Sequence, residues 1–303
     1  MPSQFKFEAI GTKWVIDIWA TLLPQAEAKI KTQIQERIAI FDKNYSRFRK
    51  DSLVAEMSRK TGEYRLPADA GPMLVLYKEL YDVTGGLLTP LVGQTLVDAG
   101  YDASYSLEQK KPLRQPPRWE EVMELIPAKG DEKNFILKIK TPGLLDFGAA
   151  GKGYLIDIVG GVLEKNGIQH YCVDAGGDMR HRGEKILQVG LENPENIEQV
   201  IGVTPLFNQA LAGSAGNRRV WKNFHHIIDP MKLASPRHIL ALWVKVEKGT
   251  VVNETMLADA LATCLFFVTP SILLKKYQFE YLILYADHSI EKSEGWQGEV
   301  FSV

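Results

Sequence analysis

Residues 144–157, LLDFGAAGKGYLID, set three glycines and one lysine between an apolar run and the start of an amphipathic stretch. Glycines this close together weaken a helix or a strand laid across them and supply turn conformations closed to other residues. The chain is therefore expected to turn here, from an extended segment into a helix over 153–168, GYLIDIVGGVLEKNGI. A turn of this composition has two readings. It is either a plain strand-to-helix connection or an anion site, where free backbone N–H groups, the helix dipole and the Lys152 ammonium converge on a phosphate. The common phosphate loops do not fit. Asp146 stands where a Walker loop needs its first glycine, Gly153 follows Lys152 where Ser or Thr is required, and Gly148, Gly151 and Gly153 are spaced Gly-x-x-Gly-x-Gly, unlike the dinucleotide fingerprint.

The rest of the chain reads as interspersed strands and helices without a strict β-α-β rhythm, which predicts α+β, with mixed, largely antiparallel sheets and packed helices, in one domain over 1–303. FKFEAIGTKWVIDIW alternates as a hairpin broken near Gly11, and Ile30, Ile34, Ile38 and Phe41 recur at helical spacing over 24–41. DKNYSRFRKDS (42–52) reads as a loop, with Asp51 or Ser52 capping the next helix, and Gly85–Gly86 close a helix over 67–86. The proline-rich, charged residues 102–120 read as a surface loop. A strand pair follows, with KGDEKN (129–134) as its turn, and the Gly176–Gly177 pair turns a further hairpin.

Composition narrows the function classes. Of 303 residues 45% are hydrophobic and 24% charged, so a sizeable core is expected. A net charge of −1 argues against nucleic-acid binding by bulk electrostatics. Cys172 and Cys264, each inside an apolar run, read as buried thiols in a reducing compartment. No apolar run is long enough for a membrane segment and the N-terminus lacks a signal-peptide pattern, so a cytoplasmic location is expected.

Three further clusters carry possible chemistry, and each also has an ordinary structural reading. ADALAT puts Asp259 and Thr263 one helical turn apart on one face. A carboxylate there, among apolar neighbours, is costly unless paired, and with a hydroxyl it makes a hard-oxygen set suited to Mg²⁺ or Mn²⁺. In FHHIIDP the adjacent His225 and His226 point to opposite faces of an extended segment, so one of them is a general-base candidate and a metal pair is not expected. In VDAGGDMR, Asp174 and Asp178 read as stabilising the turn through backbone hydrogen bonds. Ser214 does not sit in a nucleophile elbow, since Ala212 replaces its first glycine.

Taken in order, YSRFRKDS, TGGLLTPLVG, LDFGAAGKGYLID, VDAGGD, HHIIDP and ADALAT resemble the FAD:protein FMN transferase family, also called ApbE, from about Ile10 to Phe267. The resemblance implies FAD as substrate, Mg²⁺ as cofactor, and transfer of the FMN half to a threonine of an acceptor flavoprotein with release of AMP. Some members of the family hydrolyse FAD to FMN and AMP instead, and a non-catalytic FAD carrier is a further alternative. By the same resemblance, Asp259 and Thr263 match side-chain metal ligands, Ala149 a backbone-oxygen position, and Ala262 lies beside them on the helix. Asp146, Lys152, Ile10, Phe48, Leu87, Leu88, Thr89 and Ile228 match FAD-contacting positions, and His226 matches the residue that would deprotonate the acceptor hydroxyl. Thr89 stands where the family commonly has Asp, Ile10 where it has Met, and GSAGN where it has a Thr-Ser-Gly-Asp or Asn-Tyr stretch.

Overall fold

The computed structural model describes residues 3–109, 112–128 and 131–301. Alternating apolar residues form β1 (Ser3–Ala9) and β2 (Thr12–Ile18), paired antiparallel across Ile10 and Gly11. Both turn residues have positive φ, 46° and 75°, as a tight two-residue hairpin requires. α1 (Pro24–Tyr45) buries Ile30, Ile34, Ile38 and Phe41 on one stripe. It runs one turn further than its apolar pattern alone suggested. Tyr45 lies four residues beyond Phe41, extends the buried stripe and donates its hydroxyl to Asp69 at 2.8 Å.

Ser52 caps α2 (Leu53–Met57) by accepting from the Ala55 amide at 3.0 Å. Next come β3 (Gly62–Arg65), α3 (Ala70–Val83), a 3₁₀ turn at Pro90–Val92, α4 (Gly93–Ala99) and α5 (Trp119–Val122). β4 (Met123–Ala128) then pairs with β5 (Asp131–Ile139). Asp131–Asn134 thus belong to a strand rather than to the expected turn, and Lys129 and Gly130 lie outside the described residues, as do Lys110 and Lys111 of the proline-rich stretch.

α6 (Gly151–Lys165) leads to the hairpin of β6 (Tyr171–Ala175) and β7 (Asp178–Arg182). β8 (Leu187–Asn193), β9 (Asn196–Leu206) and β10 (Gln209–Ala215) follow, then the short pair β11 (Val220–Trp221) and β12 (Phe224–His225). The chain continues through β13 (Ile239–Glu247), α7 (Glu254–Cys264), α8 (Pro270–Leu273), β14 (Glu280–Tyr285), β15 (Ile290–Lys292) and β16 (Glu299–Val300). Eight strands make the main sheet in the order β1-β2-β6-β7-β10-β13-β14-β15, each neighbouring pair antiparallel. The architecture is α+β with antiparallel sheets, as the interspersed pattern predicts.

α7 packs on β10 and β13, and α6 packs on α7, with α1 against α6. Leu155, Ile156, Val159 and Leu163 of α6 are fully buried in this layer, each worth about 1.5–3 kcal/mol on leaving water. The two central helices approach closely because Gly153 has no side chain. A Cβ there would lie 2.3 Å from the Thr255 carbonyl oxygen and 2.8 Å from Cβ of Asp259. That contact brings the first turn of α6, with Lys152, against the face of α7 that carries Asp259. Cys172 and Cys264 are buried and unpaired, and no helix among the described residues is long and apolar enough to cross a membrane.

Candidate active site

A cavity of about 690 Å³ opens where the loop after α1, the first turn of α6 and the middle and last turn of α7 meet the β1–β2 turn and the segment after β12. Its size suits a dinucleotide-scale ligand. Ile10, Phe48, Leu87, Leu88, Thr89, Asp146, Ala149, Lys152, His226, Ile228, Asp259 and Thr263 all line it. Ala262 does not. It is fully buried on the inner side of α7, inside the hydrophobic core.

One end of the cavity is charged. Asp259, only 4% exposed, accepts the Gly153 amide at 2.9 Å, so that amide is already used and is not one of the free N–H groups expected at the helix start. Lys152 pairs with Asp178, a fully buried carboxylate on β7, whose other oxygen accepts the Gly213 amide at 3.2 Å. Burial and the neighbouring Asp178 carboxylate push Asp259 well above the usual aspartate range, against the pull of Lys152. Burial disfavours the Lys152 ammonium, but Asp178 and Asp259 outweigh it and hold its pKa above the ordinary lysine value. Asp178 is a residue the sequence reading missed, since it was assigned only to its own turn. Asp174 does fill that role, accepting from the Gly177 amide at 2.9 Å.

With Lys152 paired to Asp178, an ionised Asp259 would call for a further positive charge. Among the described residues no three His, Cys, Asp or Glu side chains are grouped as a metal cluster. Asp259 and Thr263, one turn apart on the cavity wall, nevertheless fit a Mg²⁺-type ion, which takes few protein oxygens and completes its shell with water and phosphate.

The histidine pair separates as an extended segment demands. His225 turns inward, where its Nδ1 accepts the Ile227 amide at 3.2 Å and its Nε2 lies 2.8 Å from the Pro236 carbonyl oxygen. Its tautomer is thereby set, with the proton on Nε2. His226 faces the cavity with Nδ1 unpartnered. Burial, reinforced by the positive charge of Arg219, pushes its pKa down to about 3, so the ring is a neutral proton acceptor at ordinary pH. Ser214 lies within strand β10, away from any strand-to-helix elbow.

The remaining wall is held by local bonds and by aromatic rings. Thr89 caps the 3₁₀ turn by accepting the Leu91 amide at 3.1 Å. Asp146 accepts from the Gly148 amide at 2.8 Å and from Arg47, so both its oxygens are engaged within the protein. Arg47 is itself buried, bonds the Tyr101 carbonyl oxygen at 2.8 Å and lies over the Phe48 and Tyr101 rings at 4.1 and 4.7 Å. Arg47, Tyr101 and Tyr105 were not singled out from the sequence. For Arg47 the alternation of aromatic and basic residues around Phe48 was the signal available; Tyr101 and Tyr105, in GYDASYS, had none.

The ApbE family model matches residues 10–281. The chain belongs to the ApbE family. Among curated relatives, it is 27% identical over 264 residues to the FAD:protein FMN transferase of Haemophilus influenzae, covering 78% of this chain and 72% of that protein. It is 22% identical over 278 residues to the protein of the same name from Escherichia coli, covering 83% and 76%. Among solved ApbE folds, the Thermotoga maritima ApbE protein superposes with a TM-score of 0.77 at 21% identity, over 97% of each chain. The Vibrio cholerae flavin transferase ApbE superposes with a TM-score of 0.74 at 18% identity, over 97% and 96%.

Proposed function

We propose that this ApbE-family chain is an FAD:protein FMN transferase, working as a single domain. In this reading it moves the FMN moiety of FAD to a threonine hydroxyl of an acceptor flavoprotein, releases AMP and depends on Mg²⁺. The observation that carries the reading is the meeting, in one cavity, of a lysine held charged by Asp178, the buried carboxylate of Asp259 and a neutral, cavity-facing His226. The names of the curated relatives support it. The two buried, unpaired thiols support a reducing, cytoplasmic setting.

Phosphoryl transfer of this kind needs positioning and charge rather than covalent help from the protein. Lys152 binds the pyrophosphate oxygens and offsets the charge that develops on them. His226 takes the proton from the acceptor hydroxyl as its oxygen bonds the flavin-side phosphorus. The bond from that phosphorus to the bridging oxygen breaks, and AMP leaves with the bridging oxygen. Asp259 and Thr263, with the carbonyl of Ala149, would hold the metal, which supplies neutralisation of the pyrophosphate and of the leaving AMP. Leu87, Leu88, Ile10 and Ile228 give the cavity apolar walls against which FAD would lie.

The test is chromatography of nucleotide products after incubation with FAD, with and without Mg²⁺ and a threonine-bearing acceptor domain. AMP with flavin retained on the denatured acceptor is the expected result. AMP with free FMN would make the chain an FAD pyrophosphatase, and FAD bound but intact in every condition would make it a carrier.

A further inference from the structure

Residues 100–108, of which 102–108 read from the sequence as part of a surface loop, are built to hold one ring in place. The Leu107 amide donates to the Gly100 carbonyl oxygen at 2.9 Å and closes the loop on itself. Gly100 has φ 109°, and a Cβ there would lie 2.5 Å from the Glu108 backbone nitrogen, so only glycine permits the closure. Inside the loop, the buried Asp102 carboxylate accepts from the amide and hydroxyl of Ser104 at 2.9 and 2.8 Å and from those of Ser106 at 3.1 and 2.7 Å. Between the two serines stands Tyr105, with φ 50°, a backbone conformation that residues with a side chain rarely adopt.

This scaffold delivers the Tyr105 ring to the cavity wall. The ring stacks on Phe48 with centroids 5.3 Å apart and planes 14° apart, and meets Tyr101 edge-on at 5.4 Å. Its hydroxyl reaches the β1–β2 turn, 3.8 Å from where a side chain on Gly11 would begin. Phe48 is packed by Tyr101, Tyr105 and Arg47. Tyr105, in contrast, is 48% exposed. Of the three rings at this end of the cavity, Tyr105 is thus the most exposed, beside a half-buried Phe48 and a buried Tyr101.

We propose that Tyr105 is a ligand-contact residue, the platform on which one of the two flat heteroaromatic rings of FAD stacks. The proposal rests on FAD being the ligand of this cavity. A flat ring gains from an aromatic face without needing directional hydrogen bonds, which suits a wall made of Phe48, Tyr101 and Tyr105.

Equilibrium binding of FAD, FMN and ADP to the full chain, with Tyr105→Ala and Tyr105→Phe beside the unaltered protein, tests it, together with kcat and KM for FAD. Tyr105→Ala should weaken FAD binding and raise KM by about tenfold, with kcat changed by less than about twofold, while Tyr105→Phe keeps the unaltered affinity. FMN and ADP assign the ring, because only the one that carries it should lose affinity alongside FAD. Unchanged FAD affinity in Tyr105→Ala would overturn the proposal. So would an equal loss in Tyr105→Phe, which would point to the hydroxyl, or equal losses for FMN and ADP, which would point to collapse of the loop. If the unaltered protein binds none of the three, the FAD reading itself falls, and this one with it.

Discussion

The charged end of the cavity stands on secondary structure, whereas the ring end stands on loops. Lys152, Asp178 and Asp259 come from α6, β7 and α7, and α6 and α7 meet closely at Gly153. Phe48, Tyr101 and Tyr105 come from connections between elements. The contrast follows from the forces involved. A buried ion pair is worth having only when its partners are fixed, since a misplaced charge away from water is heavily penalised. Stacking of flat rings tolerates small displacements and can be carried by a loop, provided the loop is braced as Asp102 braces this one.

The sharpest way to break the comparison is Asp259→Asn, which keeps the shape and an acceptor for the Gly153 amide but removes the charge. Turnover should fall by on the order of a thousandfold, while the fold survives. Stability should even rise in the absence of metal. The folded-state pKa of Asp259 is raised by burial and Asp178, so its ionised form opposes folding. That penalty is absent below the ordinary aspartate range and grows as pH rises towards the raised value. Thermal melting at pH 8 should therefore favour the variant, with the difference vanishing near pH 3. A variant that melts lower than the unaltered protein at pH 8 would show that the carboxylate is stabilising and that this end is not built for an added cation.

His226→Ala should cost about a hundredfold or more in kcat and leave KM for FAD little changed, as expected of a group that acts on the acceptor proton rather than on ground-state binding. A loss confined to KM would move His226 from proton transfer to FAD binding. Gly153→Ala should destabilise the protein by about 1–3 kcal/mol through overpacking at the α6–α7 contact, read as a lower denaturation midpoint with an unchanged slope. An unchanged midpoint would mean that the two helices separate freely. The smallest effect is expected with pH. Since burial holds His226 near 3 rather than at its ordinary 6.5, the neutral base persists through mildly acid solution. The kcat/KM profile for the free protein should show no histidine inflection near the ordinary value, and an inflection there would mean that the ring is more solvated than its surroundings imply.

Legibility in the sequence follows the range of the interaction. The β1–β2 and β6–β7 hairpins, the α1 stripe and the Ser52 cap rest on neighbours a few residues away, and periodicity with turn residues reveals them. The end of α1 escaped because Tyr45 owes its helical place partly to a hydrogen bond with the distant Asp69. Asp178 looked like a turn residue for the same kind of reason, since its partner Lys152 belongs to another element. The free amides expected at the start of α6 do not include that of Gly153, because α7, invisible to a local reading, brings Asp259 to it. Tyr105 was hidden by the polarity of its neighbours. Asp102, Ser104 and Ser106 give the loop a solvent-facing composition, yet their polar groups are spent on one another.

The central claim is that this cavity moves FMN from FAD to a protein hydroxyl. Intact-mass spectrometry of a threonine-bearing acceptor domain, incubated with the protein, FAD and Mg²⁺ and then denatured, addresses it most directly. The account predicts an acceptor heavier by one FMN less one water, absent when the acceptor threonine is replaced by valine and absent with Asp259→Asn. An acceptor of unchanged mass, while FAD is bound or hydrolysed in the same mixture, would contradict it.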